Sequence, residues 1–325
     1  MDLQLLTDQF AIPNVLAFSQ NENGLLRASI TTPACTAELY LQGAHLTLWQ
    51  PTGQKPVLFL SDRASFTPGK AIRGGVPIIF PWFGGRTTTT ENPRTDGPSH
   101  GFARTSDWTL AFAALAGDDL HLTLTLAPND TTRALGYDQF QLAYQLTLGT
   151  ELRLQLTVAN QGAAPLHFEE AFHSYFSVGD AQQISLIGLS DTDFLDKTDE
   201  FKPKHQIDTL LKLTRETDRT YLNTVTTINL DDPILKRRVT VCKANAKSTV
   251  IWNPWSELTA KLPDMDPNGW LNMICIETAN ITTNAITLAP GQQHAMEAHI
   301  FVQEFAEGYT AEQATLPAKP STPSS

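Results

Sequence analysis

Alternation with a period of two residues dominates the chain. Leu120–Leu126 reads LHLTLTL, with leucines on one face and His and Thr on the other, as in a strand buried on one side. Phe140–Leu148 (FQLAYQLTL) and Leu152–Val158 (LRLQLTV) repeat the pattern on either side of Gly149-Thr150-Glu151, which suits a short hairpin loop. Ser248–Asn253, Met273–Thr278 and His294–Val302 also read as strands. Amphipathic helices are scarce; Thr209–Thr217 and Asp62–Phe66 are the places expected to supply short turns. Strands at close spacing, with Gly, Pro, Asn and Asp between them, predict an all-β sandwich or barrel. With no repeat and no internal linker, residues 1–315 are expected to form one β-domain, and the Pro/Ser-rich 316–325 a disordered tail.

Composition narrows the function. The 325 residues are 41% hydrophobic and 18% charged, an ordinary globular balance. The net charge of −11 argues against nucleic acid and anionic membranes, which are bound through basic surfaces. An anionic substrate must then be held by a few local arginines against the global field. Cys35, Cys242 and Cys275 are odd in number and far apart, with no zinc or redox spacing, so reduced thiols are expected. The N-terminal MDLQLLTDQFAIPNV lacks the features of a signal peptide, and no apolar run reaches the roughly 20 residues that span a bilayer. A soluble cytoplasmic protein is the expectation. There is no G-x-G-x-x-G, P-loop or G-x-S-x-G.

Four segments carry residues that a plain sandwich does not require. Ala71–Gly84 (AIRGGVPIIFPWFG) sets Arg73 before a Gly-Gly pair that permits a tight turn or close backbone approach. Ser99–Arg104 (SHGFAR) puts His100 and Arg104 directly after the long polar loop Gly84–Ser99. Two guanidiniums on such loops make an anion clamp, although each also reads as an ordinary loop arginine. His167–Phe176 (HFEEAFHSYF), if extended, lines up His167, Glu169, Ala171, His173 and Tyr175 on one face. His173 is a general acid or base by its free pKa, or a hydrogen-bonded core histidine. A metal site from His167, Glu169 and His173 is disfavoured, because side chains two and four residues apart on a strand diverge. In Leu271–Asn280 (LNMICIETAN), Glu277 follows an apolar run; buried there it titrates high, as a base working near neutrality must, and at a strand end it merely emerges into solvent. Asp191, Asp193 and Asp196 crowd in GLSDTDFLD without the spacing of a calcium loop.

In order along the chain, GAHLTLWQP, AIRGGVPIIFPWFG, SHGFAR, FHSYF, GLSDTDFLDK, VIWNPW, ICIETAN and LAPGQQH resemble the aldose 1-epimerase (mutarotase) superfamily. Within it they look like the glucose-6-phosphate 1-epimerase, or hexose-6-phosphate mutarotase, branch, over about residues 24–303. The resemblance implies a large antiparallel β-sandwich of galactose-mutarotase type and a site in a cleft on one sheet. It implies interconversion of hexose 6-phosphate anomers without cofactor or metal, the small-molecule sugar phosphate being the partner; a monomer is the expectation. By motif position His173 and Glu277 match the catalytic pair, Arg73 and Arg104 arginines associated with substrate phosphate, His100 a second histidine near the sugar, and Asp196 an acidic substrate-binding position. The long threonine-rich loop before His100 departs from the family pattern, and with it the role of Arg94. Rival readings are a non-catalytic sugar-phosphate-binding module, an epimerase of free hexoses, and a glycoside hydrolase with paired carboxylates.

Overall fold

Alternating hydrophobic strands have only one way to hide their apolar faces, which is to pack sheet on sheet. In the computed structural model, which describes residues 2–88 and 94–305, the two largest sheets do this. One has nine strands in the order Leu210–Leu211, Ser185–Ile187, Ile228–Asp232, Arg237–Ala244, Gln293–Glu304, Leu152–Asn160, Phe140–Leu148, Asp119–Leu126 and Thr109–Ala116. The other runs Lys202–Gln206, Thr192–Asp196, Thr217–Tyr221, Ser248–Asn253, Met273–Asn280, Glu170–Phe172 and Ile78–Ile79, with Tyr175–Ser177 also paired to Met273–Asn280. Smaller sheets are the four-stranded Leu16–Gln20, Leu26–Thr31, Cys35–Tyr40 and His45–Pro51, and the pair Leu166–Phe168 with Ile286–Leu288. All pairings between these strands are antiparallel, so the fold is the expected all-β sandwich.

The core lies between the two large sheets. Tyr144, Leu154, Met296 and Ile300 of the nine-stranded sheet share one buried cluster with Phe172, Phe176, Ile251, Ile274 and Ile276 of the other. The Tyr144 and Phe172 rings meet at 5.7 Å. Alternation then sends Met273, Cys275, Glu277 and Ala279 to the opposite face of the site-bearing sheet, where the smaller clusters around Val250 and Tyr175 lie. Cross-strand register builds rows on this face: Tyr175, Cys275, Trp252 and Asp218 sit side by side on four strands, next to Glu277, Val250 and Thr220 on three.

The strands expected at 120–126, 140–148, 152–158, 248–253, 273–278 and 294–302 all form, with ends extended by a few residues. Thr209–Thr217 holds the short strand Leu210–Leu211 and bends at Thr214 and Arg215, with buried Leu211 and Leu213 alternating with exposed Lys212 and Thr214. An unanticipated helix, Leu3–Phe10, starts at Asp2, whose side chain accepts the Leu5 N–H. Residues 316–325 lie outside the described residues. No helix among the described residues is long and apolar enough to cross a membrane.

Candidate active site

The HFEEAFHSYF segment is not one continuous strand. Leu166–Phe168 pairs with Ile286–Leu288, and the chain then crosses to the large sheet at Glu170–Phe172. Ala171, His173 and Tyr175 keep a common face, while Phe172 and Phe176 point into the core. His167 leaves the set to meet Thr287 Oγ1 at 2.9 Å, and Glu169 accepts the N–H groups of Phe83 and Thr282. The register, Phe172 opposite Thr278 and Tyr175 opposite Cys275, puts His173 across from Glu277. On the other side His173 N–H donates to Pro77 O and Tyr175 N–H to Gly75 O, so AIRGGVPIIFPWFG lies alongside as an edge. An edge tolerates Pro77, which has no N–H to give.

Gly74 and Gly75 are needed for this approach. Their φ values are +118° and +62°, and a Cβ on Gly74 would stand 2.5 Å from Phe59 O, while one on Gly75 would collide with Leu46 O. His45 donates from Nε2 to Gly74 O at 2.8 Å and fixes the turn. Arg73 is thereby aimed at the cleft. Its Nε and Nη2 donate to Asp264 at 3.2 and 3.3 Å, and its Nη1 to Tyr175 Oη at 3.1 Å.

The cleft is a cavity of about 280 Å³ lined by Arg73, Phe83, His100, His173, Lys197, Thr198, Glu216, Asp218, Val250, Trp252, Leu258 and Glu277. Ligand pockets usually run to about 300–1,000 Å³, so this one suits a single small polar molecule. A larger groove of about 870 Å³ adjoins the same loop at Pro81, Trp82, Gly85 and Arg86. Arg86 there is spent between the Trp82 and Tyr137 rings and on Leu135 O. The chemistry converges in the smaller cavity.

At its floor His173 Nε2 and Glu277 Oε1 approach to 3.3 Å, without the alignment of a hydrogen bond. Both Glu277 oxygens and His173 Nδ1 are buried with no partner among the described residues. Native proteins pair buried polar atoms almost always, so such orphans need a reason. Burial pushes the Glu277 carboxyl well above its ordinary value, helped by Asp218 and opposed by Lys197 and Arg104. Burial likewise drives His173 well below 6.5, reinforced by His100, Arg104 and Arg73. Both groups therefore favour their neutral forms.

His100 adopts φ 63°, and its Nδ1 accepts the Gly84 N–H at 3.2 Å. With Nδ1 as acceptor the proton sits on Nε2, a donor available to the cleft. Burial, with Arg104, Lys197 and Arg73, lowers its pKa to about 3, so it stays neutral.

Arg104 does not line the cavity. Its Nη2 donates to Ser99 O at 2.7 Å, its Nε is buried without a partner among the described residues, and its charge acts on His100, His173 and Glu277. Asp196 is turned away from the cleft, accepting from Lys204 Nζ at 2.7 Å and from Thr198 N and Oγ1. It fixes the turn that presents Lys197 and Thr198. The acid that lines the cleft is Asp218, 3.0 Å from Lys197 Nζ, with its pKa raised by burial against the pull of Lys197. Sequence alone does not single out Asp218, because its place beside Trp252 depends on cross-strand register. Arg94 pairs with Asp96.

His173, Cys275 and Glu277 each offer one donor atom, all within 4.8 Å of one another. Zinc binds cysteine as thiolate. Burial, with Glu277 beside it, pushes the Cys275 thiol well above 9.0, so a metal held by the trio would have to displace that proton. What the cavity offers is a proton donor–acceptor pair at the floor, neutral and ionic hydrogen-bonding groups on the walls, and Trp252 as an apolar face.

The family model described as aldose 1-epimerase matches residues 27–300. A protein of Escherichia coli K12, provisionally named glucose-6-phosphate 1-epimerase, is 34% identical over 247 residues, covering 76% of this chain and 80% of its own. A protein of Cenchrus ciliaris with the same provisional name is 30% identical over 268 residues, 80% of this chain and 79% of its own. The crystal structure of a protein from Salmonella typhimurium, provisionally called a mutarotase, superposes with a TM-score of 0.83 at 30% identity, over 91% of this chain and 96% of the other.

Proposed function

The chain belongs to the aldose 1-epimerase family, and from that premise we propose that it interconverts the α and β anomers of a hexose 6-phosphate, glucose 6-phosphate foremost. The observation that carries the reading is the buried His173–Glu277 pair, otherwise unpartnered among the described residues, at the floor of a cleft that also presents Arg73. The provisional names of the relatives point to the same substrate.

Ring opening requires that the anomeric hydroxyl lose a proton while the ring oxygen gains one. Glu277 takes the proton from O1, His173 gives one to O5, the C1–O5 bond breaks and a C1=O1 carbonyl forms. Rotation about C1–C2 presents the other face; O5 returns its proton to His173 as it attacks, and O1 takes one from Glu277. Protons balance over the cycle. The neutral carboxyl–imidazole pair and the carboxylate–imidazolium pair carry the same total charge, so a proton passed across the 3.3 Å gap converts the resting form to the working one. His100 Nε2–H and Asp218 bind sugar hydroxyls, Trp252 carries the ring's apolar face, and Arg73, with Arg104 behind, holds the phosphate.

Polarimetry on phosphorylated and free hexoses tests the reading: glucose 6-phosphate is turned over with the higher kcat/KM, and equal values for glucose refute the phosphate preference. Asp218→Asn raises KM by about tenfold, the order expected for one hydrogen bond to a charged group. It also removes a negative charge that raises Glu277, so the basic limb of kcat/KM, where the pair loses its single proton from Glu277, moves to lower pH. An unchanged KM and an unmoved limb count against Asp218.

A further inference from the structure

We propose that a phosphate dianion held at Arg73 activates the catalytic imidazole through Tyr175, so that the substrate's phosphate promotes proton transfer as well as anchoring the sugar; the inference rests on the sugar-phosphate reading. The path is short. Arg73 Nη1 donates to Tyr175 Oη at 3.1 Å, and the Tyr175 ring stacks on the His173 imidazole, centroids 4.9 Å apart and planes within 13°. Backbone bonds clamp Tyr175 at both sides, its N–H to Gly75 O at 2.9 Å and its C=O to Phe59 N–H at 3.0 Å. Trp252 stands edge-on to both rings at 6.0 Å. Tyr175 is a positioning residue whose hydroxyl meets the anion-binding arginine and whose ring holds the acid.

In the free protein the other half of Arg73 is taken up by Asp264. The groups facing His173 are Glu277 at 3.3 Å, the Cys275 thiol within 4.8 Å, His100 with centroids 5.4 Å apart, Tyr175, Trp252, and the charges of Arg73 and Arg104. These two cations oppose the imidazolium that must protonate O5. A dianion bound at Arg73 offsets this opposition and draws Arg73 away from Asp264, with Tyr175 in contact throughout. A free sugar lacks that input.

The two roles of the phosphate separate when it is supplied as a second molecule. Anomer exchange of free glucose is measured by NMR with increasing inorganic phosphate at constant ionic strength, subtracting the enzyme-free rate at each concentration. The wild-type rate rises saturably by about tenfold, the order of one charged hydrogen bond. In Tyr175→Phe, which keeps the ring over His173 and loses the contact to Arg73, the ratio of stimulated to unstimulated rate falls to about twofold or less. No stimulation in the wild type, or equal stimulation in Tyr175→Phe, overturns the inference. A wild type that turns over glucose 6-phosphate yet ignores added phosphate removes the inference alone. A wild type inactive on glucose 6-phosphate removes the reading beneath it as well.

Discussion

Glu277→Gln slows anomer exchange of glucose 6-phosphate by about 10²–10⁴-fold, the range for one positioned acid–base group. The amide fills the same space as the carboxyl but cannot take the O1 proton. Glu277 is buried at the cleft beside His173, and among the described residues the acid that raises its pKa, Asp218, lies two strands away. The variant also has a stability signature. In the native protein the Glu277 pKa is raised above 4.5, so above that pH the folded state keeps a proton that the unfolded chain has released. Where the native state binds more protons, stability falls as pH rises. The Glu277 contribution to wild-type stability is therefore lost as pH climbs from 4.5 toward the native value, and Glu277→Gln has no such loss. Thermal melts show the variant gaining on the wild type as pH rises above 4.5. A parallel pair of melting curves across pH would mean that Glu277 is not buried as described.

Arg73→Ala reduces the preference for glucose 6-phosphate over glucose, expressed as the ratio of kcat/KM values, by about 10–10²-fold. Hydrogen bonds from a charged donor contribute about 1.5–3 kcal/mol, and each 1.4 kcal/mol is roughly tenfold. Arg73 lines the cleft and is preset by Gly74-Gly75, Asp264 and Tyr175, so little ordering opposes its use. Arg104 reaches the site through its field and not its surface, so Arg104→Ala changes the preference less than Arg73→Ala does. If the two variants lose preference equally, the phosphate contacts both side chains.

Sequence alone made some of this legible and not the rest, for physical reasons. The period-two runs at 120–126, 140–148 and 152–158 are long enough to fix their own strands and their buried face. The sequence put Glu277 at the end of an apolar run, but whether it is buried or emerges into solvent there needed the structure, which buries it. The break in HFEEAFHSYF escaped periodicity because both pieces are extended and differ only in partner. Asp196 and Asp218 could not be told apart by distance along the chain. Lys204, across the hairpin, claims the first, and the register with Ser248–Asn253 brings the second beside Trp252. Arg104 and Arg73 look alike as loop arginines, and the contrast between them comes from Ser99 O, which takes up one guanidinium.

The central claim is tested most directly by two-dimensional exchange NMR on an equilibrium mixture of α and β glucose 6-phosphate, recorded with wild type, Glu277→Gln and His173→Asn at equal concentration. Strong α/β exchange peaks are expected with the wild type and peaks at the buffer level with either variant, both variants still folded. Exchange at the buffer level with the wild type, or full exchange with either variant, would contradict the claim.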